Sequence, residues 1–138
     1  NMAKAVEIAG PLSWTDRKAG SIDADPLSAG DVVLARKDIP TSYHLAVTLD
    51  DHLQGVSLVT RGWDLFHATH VHRLLQALLD LTTPLYYHHP MITDLNGIRL
   101  AKRNRAVTLR SLRNSGKTAA DVLRMVNLDD DTKEKVTP

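Results

Sequence analysis

The stretch Val56-Ser57-Leu58-Val59-Thr60 has the alternating, largely β-branched pattern of a β-strand. Apolar residues then recur at helical spacing and predict a helix over residues 69–79, which Thr83-Pro84 ends. Leu85-Tyr86-Tyr87-His88 predicts the next strand. A strand, a helix and a second strand in this order favour a parallel pair of strands joined by a crossover helix.

The upstream half of the chain extends this pattern. Residues 32–35 form a compact apolar run and predict a buried strand, and a helix follows with Thr41 or Ser42 as its N-cap and Gln54-Gly55 at its end. Nearer the start, we expect a helix over residues 2–9, a strand over 12–15 and a long loop over 16–30. Downstream, residues 108–113 and 119–126 predict two short helices. The class is therefore α/β with a parallel sheet, followed by a short helical region.

Composition excludes several classes of site. The chain has 138 residues and no cysteine, so disulfides, thiolate metal ligands and a cysteine nucleophile are excluded. Its net charge of +1 means that a nucleic-acid surface has to be a local basic patch. There is no apolar run of about 18 residues and no signal peptide at the start, so we predict a cytoplasmic protein.

A cationic loop lies between the sheet and the last helices. Gly97-Ile98-Arg99-Leu100-Ala101-Lys102-Arg103 follows the turn signal Asn96-Gly97, and Arg105 adds a fourth cation. Lysine and arginine side chains of this density suit a triphosphate, because they stabilise the charge that develops on phosphate oxygens. The alternative interpretation is a solvated surface turn.

Three further motifs stand upstream in a fixed order. They are Thr41-Ser42-Tyr43-His44-Leu45-Ala46, then Asp50-Asp51 followed by Gly55, then Arg61-Gly62-Trp63-Asp64-Leu65. Together with the loop at 99–103, whose usual form is Lys-Leu-Ser-Lys-Arg, they resemble the catalytic domain of the class I glutamyl-tRNA synthetase family. The resemblance covers about residues 12–126 and is strongest to the shortened branch that acts on the queuosine base of tRNA(Asp).

The resemblance implies a fold, an activity and a domain organisation. Residues 1–103 would be the second half of a Rossmann-like nucleotide-binding domain, residues 104–128 a helical region that contacts the tRNA stem, and residues 129–138 a polar tail. The reaction would be activation of L-glutamate by ATP with Mg²⁺, followed by transfer to tRNA. Because only residues 104–138 follow the loop, tRNA(Asp) is favoured over tRNA(Glu).

Two residues are candidates for binding the amino acid. Arg61 directly follows a predicted strand, and ligands of parallel sheets lie beyond the carboxyl ends of strands. An arginine there can hold a carboxylate through two hydrogen bonds. The resemblance implies that Tyr43 and Arg61 hold glutamate, with Arg61 on the side-chain carboxylate. The alternatives are a surface ion pair of Arg61 with Asp64 and core packing of Tyr43.

The resemblance also implies the ATP contacts. Lys102 would be the catalytic lysine of the loop, with Arg99 in place of the first lysine and Ala101 in place of the serine. The implied ATP-binding residues are Arg99, Leu100, Ala101, Lys102, Arg103, Asp64, Leu65, Met91 and Ile92. Plain packing is the alternative for Asp64, Leu65, Met91 and Ile92.

Parts of the family pattern are absent from the sequence. No His-x-Gly-His stands in it, nor do the family's amino-terminal arginine and serine or the cysteine-containing zinc insert. We therefore expect a fragment with no zinc that is inactive alone, because adenylation requires the phosphates to be held from both sides. A rival function is a non-catalytic RNA-binding module whose contacts would be Arg99, Lys102, Arg103, Arg105, Arg110 and Arg113.

The histidines form a second rival. His67 and His70 are one helical turn apart and could share a metal, whereas His72 would point elsewhere. His88 and His89 are expected on opposite faces of a strand. No cysteine completes a ligand set, so we predict no metal site.

Overall fold

A computed structural model describes residues 1–91 and 107–125, and the chain divides into two compact units, Asn1–Met91 and Ile92–Pro138. The helices of the first unit are α1 (Met2–Ala9), α2 (Tyr43–Leu53) and α3 (Ala68–Leu78). Its strands are β1 (Ser13–Asp16), β2 (Gly20–Asp23), β3 (Leu58–Gly62) and β4 (Leu85–His89), and Pro26–Ala29 and Trp63–Leu65 form short 3-10 helices. In the second unit, helices α4 (Leu109–Asn114) and α5 (Ala119–Met125) are described.

The four strands form one sheet in the order β2-β1-β4-β3. Strands β1 and β3 both pair with β4 in parallel, and β2 pairs with β1 antiparallel. Arg61 of β3 is in register with His88 of β4, and Asp16 of β1 is in register with Tyr86. The α/β class, the parallel pair and the crossover helix are therefore confirmed.

Two predictions for the upstream segment are wrong. Residues 32–35 form no strand: Val32 and Leu34 pack against the core and Val33 is exposed, but this extended segment makes no ladder with the sheet. The third parallel strand is β1 instead. Residues 16–30 are only partly a loop, because β2 turns back along β1 and Pro26–Ala29 forms a 3-10 helix capped by the Asp25 carboxylate.

The predicted helices are confirmed within the described residues. Ser42 caps α2 by accepting a hydrogen bond from the Leu45 amide, and Gln54 ends it. Helix α3 packs Val71, Leu74 and Leu75 against Met2 of α1, and this cluster is the apolar core. None of the described helices has the length and apolar character needed to cross a membrane.

Candidate functional site

Three polar side chains meet where the parallel strands end. Asp16 is the last residue of β1, and Arg61 and His88 are the last but one of β3 and β4. All three are buried, Asp16 and His88 completely so and Arg61 with 9% of its surface exposed. Parallel strands bring their carboxyl ends to one edge of the sheet, which is where ligands of such sheets bind.

The guanidinium of Arg61 is held at three of its nitrogens. Nε donates to His88 Nε2 at 3.0 Å, Nη1 donates to His72 Nδ1 at 3.1 Å, and Nη2 donates to the Thr69 hydroxyl. The guanidinium carbon also lies 5.2 Å from the centre of the Tyr86 ring, a cation–π distance. Strand β4 and helix α3 thus fix this side chain from two sides.

These contacts determine the tautomers of the histidines. A guanidinium has only N–H donors, so His88 Nε2 and His72 Nδ1 must both be acceptors. His88 then carries its proton on Nδ1 and donates it to Asp16 Oδ2 at 2.7 Å. His72 carries its proton on Nε2 and donates it to His44 Nδ1 at 3.0 Å. The result is a continuous chain of hydrogen bonds from Asp16 to His44.

The electrostatics of the site favour neutral histidines. Burial, reinforced by the charge of Arg61, lowers the pKa of His72 to about 3 and also lowers the pKa of His44. Burial likewise lowers the pKa of His88, although Asp16 opposes this. Burial alone would raise the pKa of Asp16, but the hydrogen bonds that its carboxylate accepts outweigh burial and lower it. The network therefore holds one carboxylate and one guanidinium, separated by an uncharged imidazole.

Arg61 retains donors for a ligand. Among the described residues, its hydrogen-bond partners are two neutral imidazoles and a hydroxyl, and these use three of the five N–H groups of a guanidinium. One N–H on each terminal nitrogen remains, the number that a carboxylate takes in a bidentate pair. The site can thus bind an anion without breaking its own hydrogen bonds.

Tyr43 lies beside the same network. Its ring centre is 5.8 Å from that of His72, the residue that Arg61 also contacts. Tyr43 is 51% exposed, so it does not pack in the core. A cavity of about 310 Å³ lies next to it, lined partly by Arg36 and Ile39. Tyr43 and Arg61 thus both contact His72.

Of the residues predicted to bind ATP, only three are described. Asp64 and Leu65 form a 3-10 turn directly after β3. A Cβ atom added to Gly62 would lie 2.5 Å from Asp64 Oδ1 and 3.1 Å from the Met91 sulfur, so both side chains lie close to the backbone of Gly62. The remaining ones lie outside the described residues: Ile92, Arg99, Leu100, Ala101, Lys102 and Arg103.

The other histidines do not assemble into a metal centre in the described part of the chain. The ring centres of His67 and His70 are 6.2 Å apart, and His70 Nδ1 accepts a hydrogen bond from the Asp25 amide. Residues 1–91 and 107–125 contain no group of three or more side chains that could hold a metal ion. His72 instead contacts Arg61 and His44, and His88 is fully buried while His89 is partly exposed.

Sequence reasoning missed Asp16, Thr69, His72 and His88 as members of this site. The loop predicted over residues 16–30 includes Asp16, whereas the structure has it as the last residue of β1. Thr69 and His72 are spaced i, i+3 on α3, and this spacing indicates a shared helix face. Their partners on β3 and β4, however, become neighbours only through the sheet register.

Comparison with known proteins identifies the family. The family model for "tRNA synthetases class I (E and Q), catalytic domain" matches residues 3–135. The chain is 54% identical over 101 residues to a glutamyl-Q tRNA(Asp) synthetase of Rhodobacter capsulatus, covering 73% of this chain and 36% of the relative. It is 43% identical over 99 residues to the protein of the same name from Albidiferax ferrireducens, covering 71% and 32%.

A solved structure agrees with these matches. It is that of a glutamate tRNA ligase from Elizabethkingia meningosepticum in complex with its amino acid, which superposes with a TM-score of 0.59 at 26% identity. The match covers 69% of this chain and 19% of that one. The chain spans about a third of the length of the curated relatives it matches. It belongs to the catalytic-domain family of the class I glutamyl- and glutaminyl-tRNA synthetases.

Proposed function

We propose that this chain forms the amino-acid-binding part of a domain that activates L-glutamate with ATP. The products of that step are glutamyl-adenylate and pyrophosphate, and the glutamyl group then passes to the queuosine base of tRNA(Asp). The terminal ribose of tRNA(Glu) is the second choice of acceptor. The family match and the names of the relatives support this reaction class.

The buried guanidinium of Arg61 carries the proposal. Its described partners are neutral, so its positive charge is not neutralised by a directly hydrogen-bonded carboxylate within residues 1–91 and 107–125. A charge held in a buried site binds an anion more strongly than the same charge in water does. We assign the side-chain carboxylate of glutamate to Arg61 and a polar contact with the substrate to the Tyr43 hydroxyl.

We assign ATP and Mg²⁺ to the remaining candidate residues. Lys102 is the proposed catalytic cation, and Arg99 and Arg103 beside it would bind phosphate oxygens. Asp64, Leu65 and Met91 would line the nucleotide pocket where β3 ends. Because no His-x-Gly-His occurs in these 138 residues, we expect them to give no ATP–pyrophosphate exchange above background with L-glutamate.

The first experiment measures binding of L-glutamate and L-glutamine to the 138-residue chain by NMR titration, in the native protein and in Arg61→Lys. We expect the native chain to prefer glutamate. Lysine keeps the charge but loses the planar pair of donors, so we expect Arg61→Lys to weaken glutamate binding by roughly 10- to 100-fold. Arg73→Lys is the matched control, because Arg73 is hydrogen-bonded to the Ser13 carbonyl and lies outside the proposed site.

Two results would contradict the assignment. One is equal binding of glutamate and glutamine by the native chain. The other is a folded Arg61→Lys variant, verified by circular dichroism, that binds glutamate as tightly as the native chain does. If Arg61→Lys does not fold, the preference of the native chain for glutamate over glutamine decides the question.

A second candidate function, a non-catalytic RNA-binding module, is favoured by the exposed arginines of α4. Arg110 and Arg113 are both exposed on this helix, and phosphate contacts of this kind need no catalytic partner. RNA binding that weakens steeply with salt, by a chain that binds no glutamate, would favour this candidate over the first.

A further inference from the structure

We propose that Asp16 and His88 are positioning residues for Arg61, and that they act by selecting the one tautomer of His88 that can accept the Arg61 Nε–H. This role rests on the proposed binding of glutamate by Arg61. Neither residue is expected to touch the substrate. Their effect would be to fix the rotation of the guanidinium before the ligand arrives.

The carboxylate of Asp16 is surrounded by donors. Oδ1 accepts from the amides of Lys18 and Ala19, both at 2.9 Å, and Oδ2 accepts from the amide and Nδ1 of His88 at 3.0 and 2.7 Å. Asp16 is fully buried, so solvent cannot replace any of these partners. Both oxygens must therefore act as acceptors, which requires the ionised carboxylate.

His88 links this carboxylate to the guanidinium. With its proton on Nδ1, the ring donates to Asp16 and presents a lone pair at Nε2 to Arg61 Nε. In the other tautomer, an Nε2–H would face the Nε–H of Arg61, and a bare Nδ1 would face the carboxylate. Both contacts would then be repulsive at hydrogen-bond distance, so the tautomer is selected at both ends of the ring.

The orientation of Arg61 follows from this tautomer. With Nε anchored on His88, the terminal nitrogens lie against His72 and Thr69, and one N–H on each stays available to a carboxylate. Without the acceptor at His88, the guanidinium would have to rotate or leave Nε–H unpaired in a buried site. A bidentate contact is sensitive to such a rotation, because both N–H groups must point at the ligand together.

The central variant is Asp16→Asn. An asparagine amide has one acceptor and one donor end, so its NH₂ group must face N–H donors at whichever of the two oxygen sites it occupies. We expect it to face His88, because this imidazole can change tautomer and accept from it, whereas the backbone amides at the other site cannot. That tautomer repels Arg61. Asp23→Asn is the matched control, because Asp23 is an exposed aspartate at the end of the neighbouring strand β2.

The direct measurement is ¹⁵N NMR of the histidines in the native 138-residue chain. We expect His88 to carry its proton on Nδ1, and we expect a scalar coupling across the hydrogen bond between Arg61 Nε and His88 Nε2. In Asp16→Asn, the coupling should be lost and glutamate should bind at least tenfold more weakly, whereas Asp23→Asn should retain both properties. An Nε2–H tautomer of His88 in the native chain would overturn the proposal.

A double variant separates positioning from general damage. In His88→Gln, the amide oxygen can accept from Arg61 without any choice of tautomer, so adding Asp16→Asn should weaken glutamate binding much less than it does in the native background. An equal loss in both backgrounds would overturn the proposal.

If the native chain shows the expected tautomer and coupling but binds no glutamate, the assignment of the ligand fails while the positioning of Arg61 stands. If Asp16→Asn does not fold, the tautomer and coupling of the native chain decide.

Discussion

Helix α3 has two buried faces of opposite character. One face packs Val71, Leu74 and Leu75 against α1 through apolar contacts alone. The other buries Thr69, His72 and Gln76, and each of these side chains makes a hydrogen bond to a residue of another element. The first face needs only volume and apolar surface, whereas the second needs each donor to meet an acceptor at the right distance.

The difference bears on the proposal that this buried site binds a charged ligand. Apolar packing is tolerant of exchange between side chains of similar size. The polar face is intolerant, because a lost partner leaves another group unpaired in a dry environment. Substitutions on the first face should thus change stability alone, and those around the second should change ligand binding as well.

The largest effect is expected from Leu74→Ala, which tests the apolar face. Leu74 is 3% exposed, and truncating a buried leucine typically costs about 2–5 kcal/mol of the free energy of unfolding. Urea denaturation measures this cost, and glutamate affinity should not change while the variant remains folded. Leu79→Ala is the control, because Leu79 is 47% exposed and should cost much less. Equal losses for the two variants would contradict the assignment of the core.

The next effect is a pH dependence that belongs to the polar face. The pKa of His72 is about 3 in the folded chain, where burial, Arg61, His44 and His88 all disfavour its charge. Between about pH 6.5 and pH 3, the unfolded chain binds a proton at this residue and the folded chain does not. The free energy of unfolding therefore decreases as the pH is lowered through this range. From His72 alone, the loss should reach about 2 kcal/mol at pH 5.

The control for this pH effect is His72→Gln. A glutamine can accept from Arg61 and donate to His44, but it does not titrate. Urea denaturation at pH 7 and pH 5 should show a smaller loss in this variant than in the native chain. An identical loss in both proteins would assign the pH dependence to other groups, such as His44, His70 or His88.

The smallest effect is expected from Tyr43→Phe, at the exposed edge of the polar face. The substitution removes only a hydroxyl, and a neutral hydrogen bond contributes about 0.5–1.5 kcal/mol. Glutamate binding should weaken by roughly 3- to 10-fold, while the free energy of unfolding stays within about 0.5 kcal/mol because the side chain is half exposed. Unchanged affinity would remove Tyr43 from the proposed site.

The apolar face could be predicted from the sequence, and so could the helices and strands β1, β3 and β4, whereas β2 lies in a segment predicted as a loop. The spacing of residues 71, 74, 75, 78 and 79 is a local property, and so is the alternation that predicts β3. The strand predicted over residues 56–60 put Arg61 directly after its end, and the structure has Arg61 as the last residue but one of β3. The failed strand at 32–35 shows the limit, because an apolar run predicts burial but not a hydrogen-bonded partner.

The polar network could not be read in the same way. Asp16 and His88 are 72 positions apart, and only the pairing of β1 with β4 brings them together. The protonated nitrogen of each histidine depends in turn on its neighbours, so no local pattern encodes it. The roles of Arg99, Lys102 and Arg103 stay predictions, because these residues lie outside the described part of the chain.

The most direct test of the account follows the Arg61 side-chain N–H resonances during titration of the native chain with L-glutamate. The account predicts that the Nη resonances shift in a saturable way, with the same dissociation constant as the rest of the chain. Equal concentrations of L-glutamine should leave them nearly unchanged, because the amide offers one acceptor oxygen and no charge. Glutamate binding that shifts other resonances while those of Arg61 stay in place would contradict the central claim.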